Sequence, residues 1–176
     1  MKVKIIVIVM ASFIAGCGSA PKSPQELRQS ATNGSMGMEK SSFVVQRSLS
    51  DLAKTYDVKS KECLNVTVER ELTVRNIYGG AGKGESTFLA YSSKVKSTIK
   101  QLELNVQMKV TGKNTVKLVE EPEGGYYLLS AEVSPINNSQ SNVTLYYYHR
   151  YKNLLAAVQG WSTGKDLKCP DLTKDI

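Results

Sequence analysis

The chain has 176 residues and a formal charge of +7, from 23 Lys and Arg against 16 Asp and Glu, with one His and three Cys. The length suits a single domain. The charge is spread along the chain without a basic stripe or a nucleic-acid motif, which excludes a nucleic-acid binder and leaves a mild attraction to anionic surfaces. One histidine excludes a His-His metal pair, and no cysteine spacing matches a metal site.

The elements begin at the N-terminus. Lys2 and Lys4 precede an apolar run, Ile5 to Ala15, which is shorter than the roughly 20 residues a spanning helix needs and has the length and flanks of a secretory signal peptide. It ends in Ile14-Ala15-Gly16-Cys17. This resembles the lipobox of bacterial lipoproteins, an aliphatic residue and two small ones before a cysteine. The resemblance implies that residues 1–16 are removed and that Cys17 carries a diacylglyceryl group on sulfur and an acyl group on its new N-terminus. It implies no other cofactor. Two or more acyl chains give stable attachment, so the expected partner is a membrane. The competing reading is an ordinary export segment, or a buried apolar element, with an incidental cysteine. In enterobacterial-type lipoproteins an Asp after the cysteine retains the protein in the inner membrane; Gly18 departs from that signal, which implies the outer membrane and a domain in the periplasm. Cleavage removes Lys2 and Lys4 and no acid, lowering the charge from +7 to +5.

Three cysteines leave an odd one in an exported protein. With Cys17 taken by lipid, Cys63 and Cys169 remain as a pair, and an oxidising compartment favours their disulfide. In the chain-entropy account a loop of about a hundred residues contributes roughly 4–5 kcal/mol. A redox or metal role has no CxxC spacing and no neighbouring histidine to support it.

From Gly18 to Ser41 the chain is poor in apolar residues, and residues 17–41 read as a lipidated cysteine with a flexible tether. A coil of that length separates its ends by roughly 27 Å. Residues 42–176 then form the one domain. Val45, Leu49, Leu52, Ala53 and Tyr56 share a helical face, with Ser41 or Ser42 as a candidate cap. Leu64, Val66, Val68, Leu72 and Val74 alternate with polar residues as in a strand. "YGGAGKGES", Tyr78 to Ser86, lacks the spacing of a phosphate loop and reads as a mobile loop between strands.

Strands follow over Thr87 to Lys96, Leu102 to Val110, Thr115 to Glu120, Tyr126 to Val133 and Val143 to Tyr148, with turn signals at "TGKN", "EPEGG" and "PINNSQS". Leu154, Leu155, Val158 and Trp161 mark a second helix. The fold class is therefore α+β: an antiparallel sheet of about six strands, with an N-terminal and a C-terminal helix packed on one face.

"KECLN", "PEGGYYLLSAEVSP", "YKNLLAAVQGW" and "CPDLTK" resemble an uncharacterised family of bacterial envelope lipoproteins. The resemblance implies a shared fold and the cysteine pair, and carries no catalytic residue across.

His149, alone at a strand end, reads as a surface residue. A hairpin pairing Val133 with Val143 sets Ala131 against Leu145 and Leu129 against Tyr147 on the core side. It puts Leu128, Tyr146 and Tyr148 on the other face, where exposed aromatics form a candidate partner patch; cross-strand support or cover by the tether competes. Pairing Val110 with Val116 brings Lys109 opposite Lys117, with Lys113 in the turn. These three are a candidate anion patch, against the alternative of lysines that guard a sheet edge.

No spacing of serines, acids and His149 makes a catalytic set. The expected function is therefore non-enzymatic: a membrane-anchored envelope lipoprotein acting by binding or assembly contacts with an envelope protein or lipid. A carrier or sensor of a lipid or other apolar ligand, held between sheet and helices, is the alternative. An enzyme comes third.

Overall fold

The computed structural model describes residues 20–75, 81–111 and 121–175, with backbone alone for 71–75 and 81–85. Cys17, Lys113, Lys117 and the strand expected over Thr115 to Glu120 lie outside the described residues.

The fold is α+β. Its elements run α1 (Pro24–Thr32), β1 (Met38–Val45), α2 (Leu49–Cys63), β2 (Thr67–Arg75), β3 (Ala81–Ser97), β4 (Leu102–Thr111), β5 (Tyr126–Pro135), β6 (Ser141–Tyr148) and α3 (Lys152–Thr163), then a 3-10 turn, Leu172–Lys174. The six strands form one antiparallel sheet in the order β1-β6-β5-β4-β3-β2.

The main core joins the sheet to α2 and α3. Leu52 and Tyr56 of α2 and Leu154, Val158 and Trp161 of α3 bury against Leu104, Val106, Ala131, Val133, Val143 and Leu145. Those strand residues alternate with polar ones, so period-two patterning alone selects this side of each strand. Polar ties between the helices sit inside the apolar layer. Ser162 Oγ donates to the Val158 carbonyl at 2.6 Å, which leaves the Tyr56 hydroxyl to donate to Ser162 Oγ, also at 2.6 Å. Arg47 donates from Nη1 to the Trp161 carbonyl at 2.6 Å and from Nη2 to Thr55 Oγ1 at 2.7 Å.

The C-terminal segment closes this layer. The sulfurs of Cys63, at the end of α2, and Cys169 lie at bonding distance, with Cα atoms 5.2 Å apart, inside the usual disulfide range. Six residues on, the buried Asp175 accepts from the backbone of Asn153 at 2.6 Å and of Leu154 at 2.7 Å. It thus caps α3, whose N-cap residue, Tyr151, makes no side-chain cap hydrogen bond.

The flexible tether expected over residues 17–41 is corrected from Pro24 onward: these residues are folded. Ser23, Pro24 and Glu26 supply the reason. Ser23 Oγ accepts from the Glu26 backbone at 3.1 Å, and Glu26 reaches back to the Lys22 backbone at 2.8 Å. That is a variant of the reciprocal cap that starts a helix, with Pro24 preset for its first turn. Leu27 and Ala31, four apart, are buried with Tyr146 in a second, smaller cluster that Met38, Tyr127 and Tyr148 border. β1 follows, pairing along β6 from Met38 opposite Tyr148 to Val45 opposite Ser141.

Val45, Ser41 and Ser42 therefore belong to a strand and not to the first predicted helix. The cap of α2 is Ser48, whose Oγ accepts from the Asp51 backbone at 3.1 Å. The "YGGAGKGES" loop is likewise corrected over Ala81 to Ser86, which continue β3 as paired strand.

Candidate functional site

Among the described residues, two places that combine exposed or charged side chains with a concave surface stand out. One lies at the end of the sheet where the β3–β4 and β5–β6 turns come together beside the start of α2. An open cleft of about 880 Å³ runs between them, lined by Leu49, Ala53, Ile99, Pro135 and Ile136 with Ser50, Lys54 and Asn137 among the polar groups. Both turns are held by their own side chains. Thr98 Oγ1 accepts from the Lys100 and Gln101 backbones at 3.3 and 3.0 Å. Asn137 Oδ1 accepts from the Ser139 backbone at 2.9 Å, and Asn137 Nδ2 donates to Gln140 Oε1 at 2.9 Å. These locks are local, three from side chain to backbone and one between two side chains. They fix two isoleucines in water: Ile99 is 91% exposed and Ile136 is 53% exposed.

The other place is the polar layer under α1. Glu103 and Glu132 stand directly opposite each other on β4 and β5, a pairing of like charges that is destabilising alone. Arg28 of α1 reaches between them. Its Nη2 lies 3.1 Å from Glu103, its Nη1 pairs with Glu132, and its Nε donates to Ser130 Oγ at 3.0 Å. Ser130 donates on to Asn105 Oδ1 at 2.7 Å. The Tyr146 hydroxyl donates to Glu132 at 3.1 Å, and burial, reinforced by the Glu132 charge, pushes its phenol pKa up. At the edge of this layer a hollow of about 160 Å³ is lined by Pro24, Gln25, Lys94, Lys96, Glu103 and Tyr127.

The predicted partner patch of Leu128, Tyr146 and Tyr148 is not an open surface. The β5–β6 register is the expected one, with Val133 opposite Val143 and Ser130 opposite Tyr146, but α1 covers Tyr146, which is 8% exposed. Leu128 lies in the main core because β5 carries an extra residue there. Val106 pairs with Leu129 and Gln107 with Tyr127, leaving Leu128 without a partner on β4 and shifting the side-chain phase. Tyr148 is half-buried, borders both clusters, and meets the Tyr151 ring edge-on at 6.3 Å; burial pushes its phenol up to about 12.

Of the predicted anion patch, Lys109 is exposed and stands opposite Ala90, while Lys113 and Lys117 lie outside the described residues. His149 is exposed, its Nδ1 3.1 Å from the Gly37 carbonyl. Among the described residues, no group of three or more His, Cys, Asp and Glu is placed to hold a metal ion, and no helix is long and apolar enough to cross a membrane. Arg28 and the cleft between the turns were not singled out in the sequence. Arg28 had one signal, "SPQELRQSA", a cap followed by a short amphipathic turn; the cleft had none, because the sheet order brings its walls together.

No family model matches the chain, and no curated protein matches it. Several solved structures are distantly similar, and two of them illustrate the likeness. A hypothetical protein, jhp0584, from Helicobacter pylori is 10% identical over 76% of this chain and 88% of its own, with a TM-score of 0.35. A conserved protein from Geobacillus kaustophilus is 11% identical over 72% of this chain and 87% of its own, with a TM-score of 0.29.

Proposed function

We propose that the protein is a non-enzymatic envelope lipoprotein, anchored in the outer membrane through lipid on Cys17 with its domain in the periplasm, and that it works by contact with another envelope protein at the cleft between the two turns. In this reading α2 and α3 form one layer on the face of the sheet that carries Leu104 and Leu145, and α1 lies on the other. The observation that carries the proposal is the pair of fixed, exposed isoleucines, Ile99 and Ile136, on either side of an apolar floor. Apolar side chains held in water by ordered turns gain free energy when a partner covers them. The carrier reading has less support, since Tyr56, Trp161, Leu104 and Leu145 fill the layer between sheet and helices.

The test is native purification from the membrane after mild crosslinking, comparing wild type with Ile99→Ser/Ile136→Ser. A companion protein captured by the wild type and lost from the variant is the expected result. Equal capture by both, or no companion with either, would refute the contact reading.

A further inference from the structure

The place where the chain joins the domain decides what the domain can face. Ala20 is already half-buried and Pro21 is buried, so the fold starts three residues after Cys17. Three peptide steps reach at most about 11 Å, against the roughly 27 Å of a tether running to Ser41. Lys22 follows, exposed, and then Pro24 and Gln25 lie beside Lys94 and Lys96 at the small hollow. Both β3 lysines are exposed, opposite Asn105 and Glu103. Glu103 is engaged by Arg28 at 3.1 Å, so its charge is already answered from α1. The nearby Glu26 carboxylate is turned onto the Lys22 backbone.

We infer that Lys22, Lys94 and Lys96 dock the domain against the anionic phospholipid headgroups of the membrane that holds the Cys17 lipid, fixing one orientation. This rests on the lipid-anchor reading above. The length of the connection supplies the physical reason. Attraction between a lysine and an anionic bilayer falls off within a Debye length, about 8 Å at physiological salt. A connection of at most about 11 Å keeps the start of the domain close to that range, with Lys22 two residues on and Lys94 and Lys96 beside Pro24 and Gln25. Each amine that comes within it shifts the docked population about fivefold, and a connection more than twice as long would loosen that constraint. Charge and reach thus agree on one surface of the domain.

The experiment uses the full lipidated protein, reconstituted into vesicles of phosphatidylcholine alone or mixed with phosphatidylglycerol. Lysine acylation is then mapped by mass spectrometry. Labelling of Lys22, Lys94 and Lys96 should fall by at least about fivefold, the shift that one lysine supplies, in the anionic vesicles and recover at high salt, while Lys54 and Lys61 on α2 stay unchanged. The doubly neutral Lys94→Gln/Lys96→Gln variant, altered only at exposed positions, should lose most of the protection of Lys22. The mass of the N-terminal peptide separates the two premises. Lipid on Cys17 with equal labelling in both vesicles overturns the docking alone; an unmodified Cys17 overturns the anchor and the docking with it.

Discussion

The two clusters that hold this sheet are built on opposite principles. The one joining α2 and α3 to the strands is apolar and large: among the described residues it has twenty-three buried ones, including Trp161, Tyr56 and Leu104, behind a cysteine pair. The one beneath α1 has, among the described residues, three buried ones, Leu27, Ala31 and Tyr146, and beside them a charged layer in which one arginine separates two glutamates. Area stabilises the first and scales with burial. Direction stabilises the second, where a neutral polar bond contributes only about 1 kcal/mol net and a bond to a charged group roughly 1.5–3 kcal/mol. The lesson is that a nine-residue helix with two buried apolar residues stays on the sheet because its arginine answers a charge problem the sheet creates. The helix nearest the expected lipid is thus also the one whose seat depends most on a single side chain.

The sharpest way to break this contrast is to weaken each side separately. Replacing Cys63 and Cys169 by Ser should lower the unfolding free energy by about 4–5 kcal/mol in the chain-entropy account, read as a shift in urea midpoint. α1 should unfold with the rest, since its sheet goes too. Arg28→Ala should cost about 2–3 kcal/mol, less than for a fully buried pair because its side chain is 16% exposed and those of Glu103 and Glu132 are 23% and 26% exposed. Adding Glu132→Gln to Arg28→Ala should restore part of the loss by removing the facing like charges. If the two effects simply added, the glutamates would not be the reason Arg28 is needed.

The main cluster also predicts a response to base. Tyr56 is fully buried, and burial pushes its phenol up to about 12 against an ordinary value near 10. A folded-state value raised above the unfolded one means that its share of stability is complete below pH 10 and is lost as pH rises from about 10 to 12. That share is about 3 kcal/mol, from about 1.4 kcal/mol per unit. Tyr56→Phe should flatten the fall in stability over this interval, and an unchanged slope would mean that another group carries it.

The same contrast governs what could be seen in the sequence. Where burial is by area, alternation of apolar residues exposes it: β4 reads directly from Leu102 to Val110, and the register of Val133 with Val143 follows from matching apolar sides. Where burial is by charge, the pattern misleads. Arg28 looks like a solvent residue, and residues 24–41 look too polar to fold. The clue lay in pairing, since Glu103 and Glu132 become opposite only once β4 and β5 are aligned. The bulge at Leu128 was hidden for a different reason. Strict period two carries Leu128 to the wrong side, because that residue has no partner on β4. Gly125 nearby was a partial hint: its φ is +95°, and a Cβ there would come within 2.2 Å of the Met108 carbonyl oxygen, so β5 starts where only glycine fits.

The smallest expected effect falls on the start of α1. Ser23→Ala removes the acceptor for the Glu26 backbone and should cost about 1 kcal/mol. It should do so locally. Hydrogen exchange of the first-turn amides of α1 should quicken by about fivefold, as 1 kcal/mol implies when helix opening is independent of global unfolding. Amides of α3 and β4 should keep the global rate. A variant in which all amides quickened together would show that α1 and the main core open as one unit, and that the sheet's two sides differ in composition without differing in cooperativity.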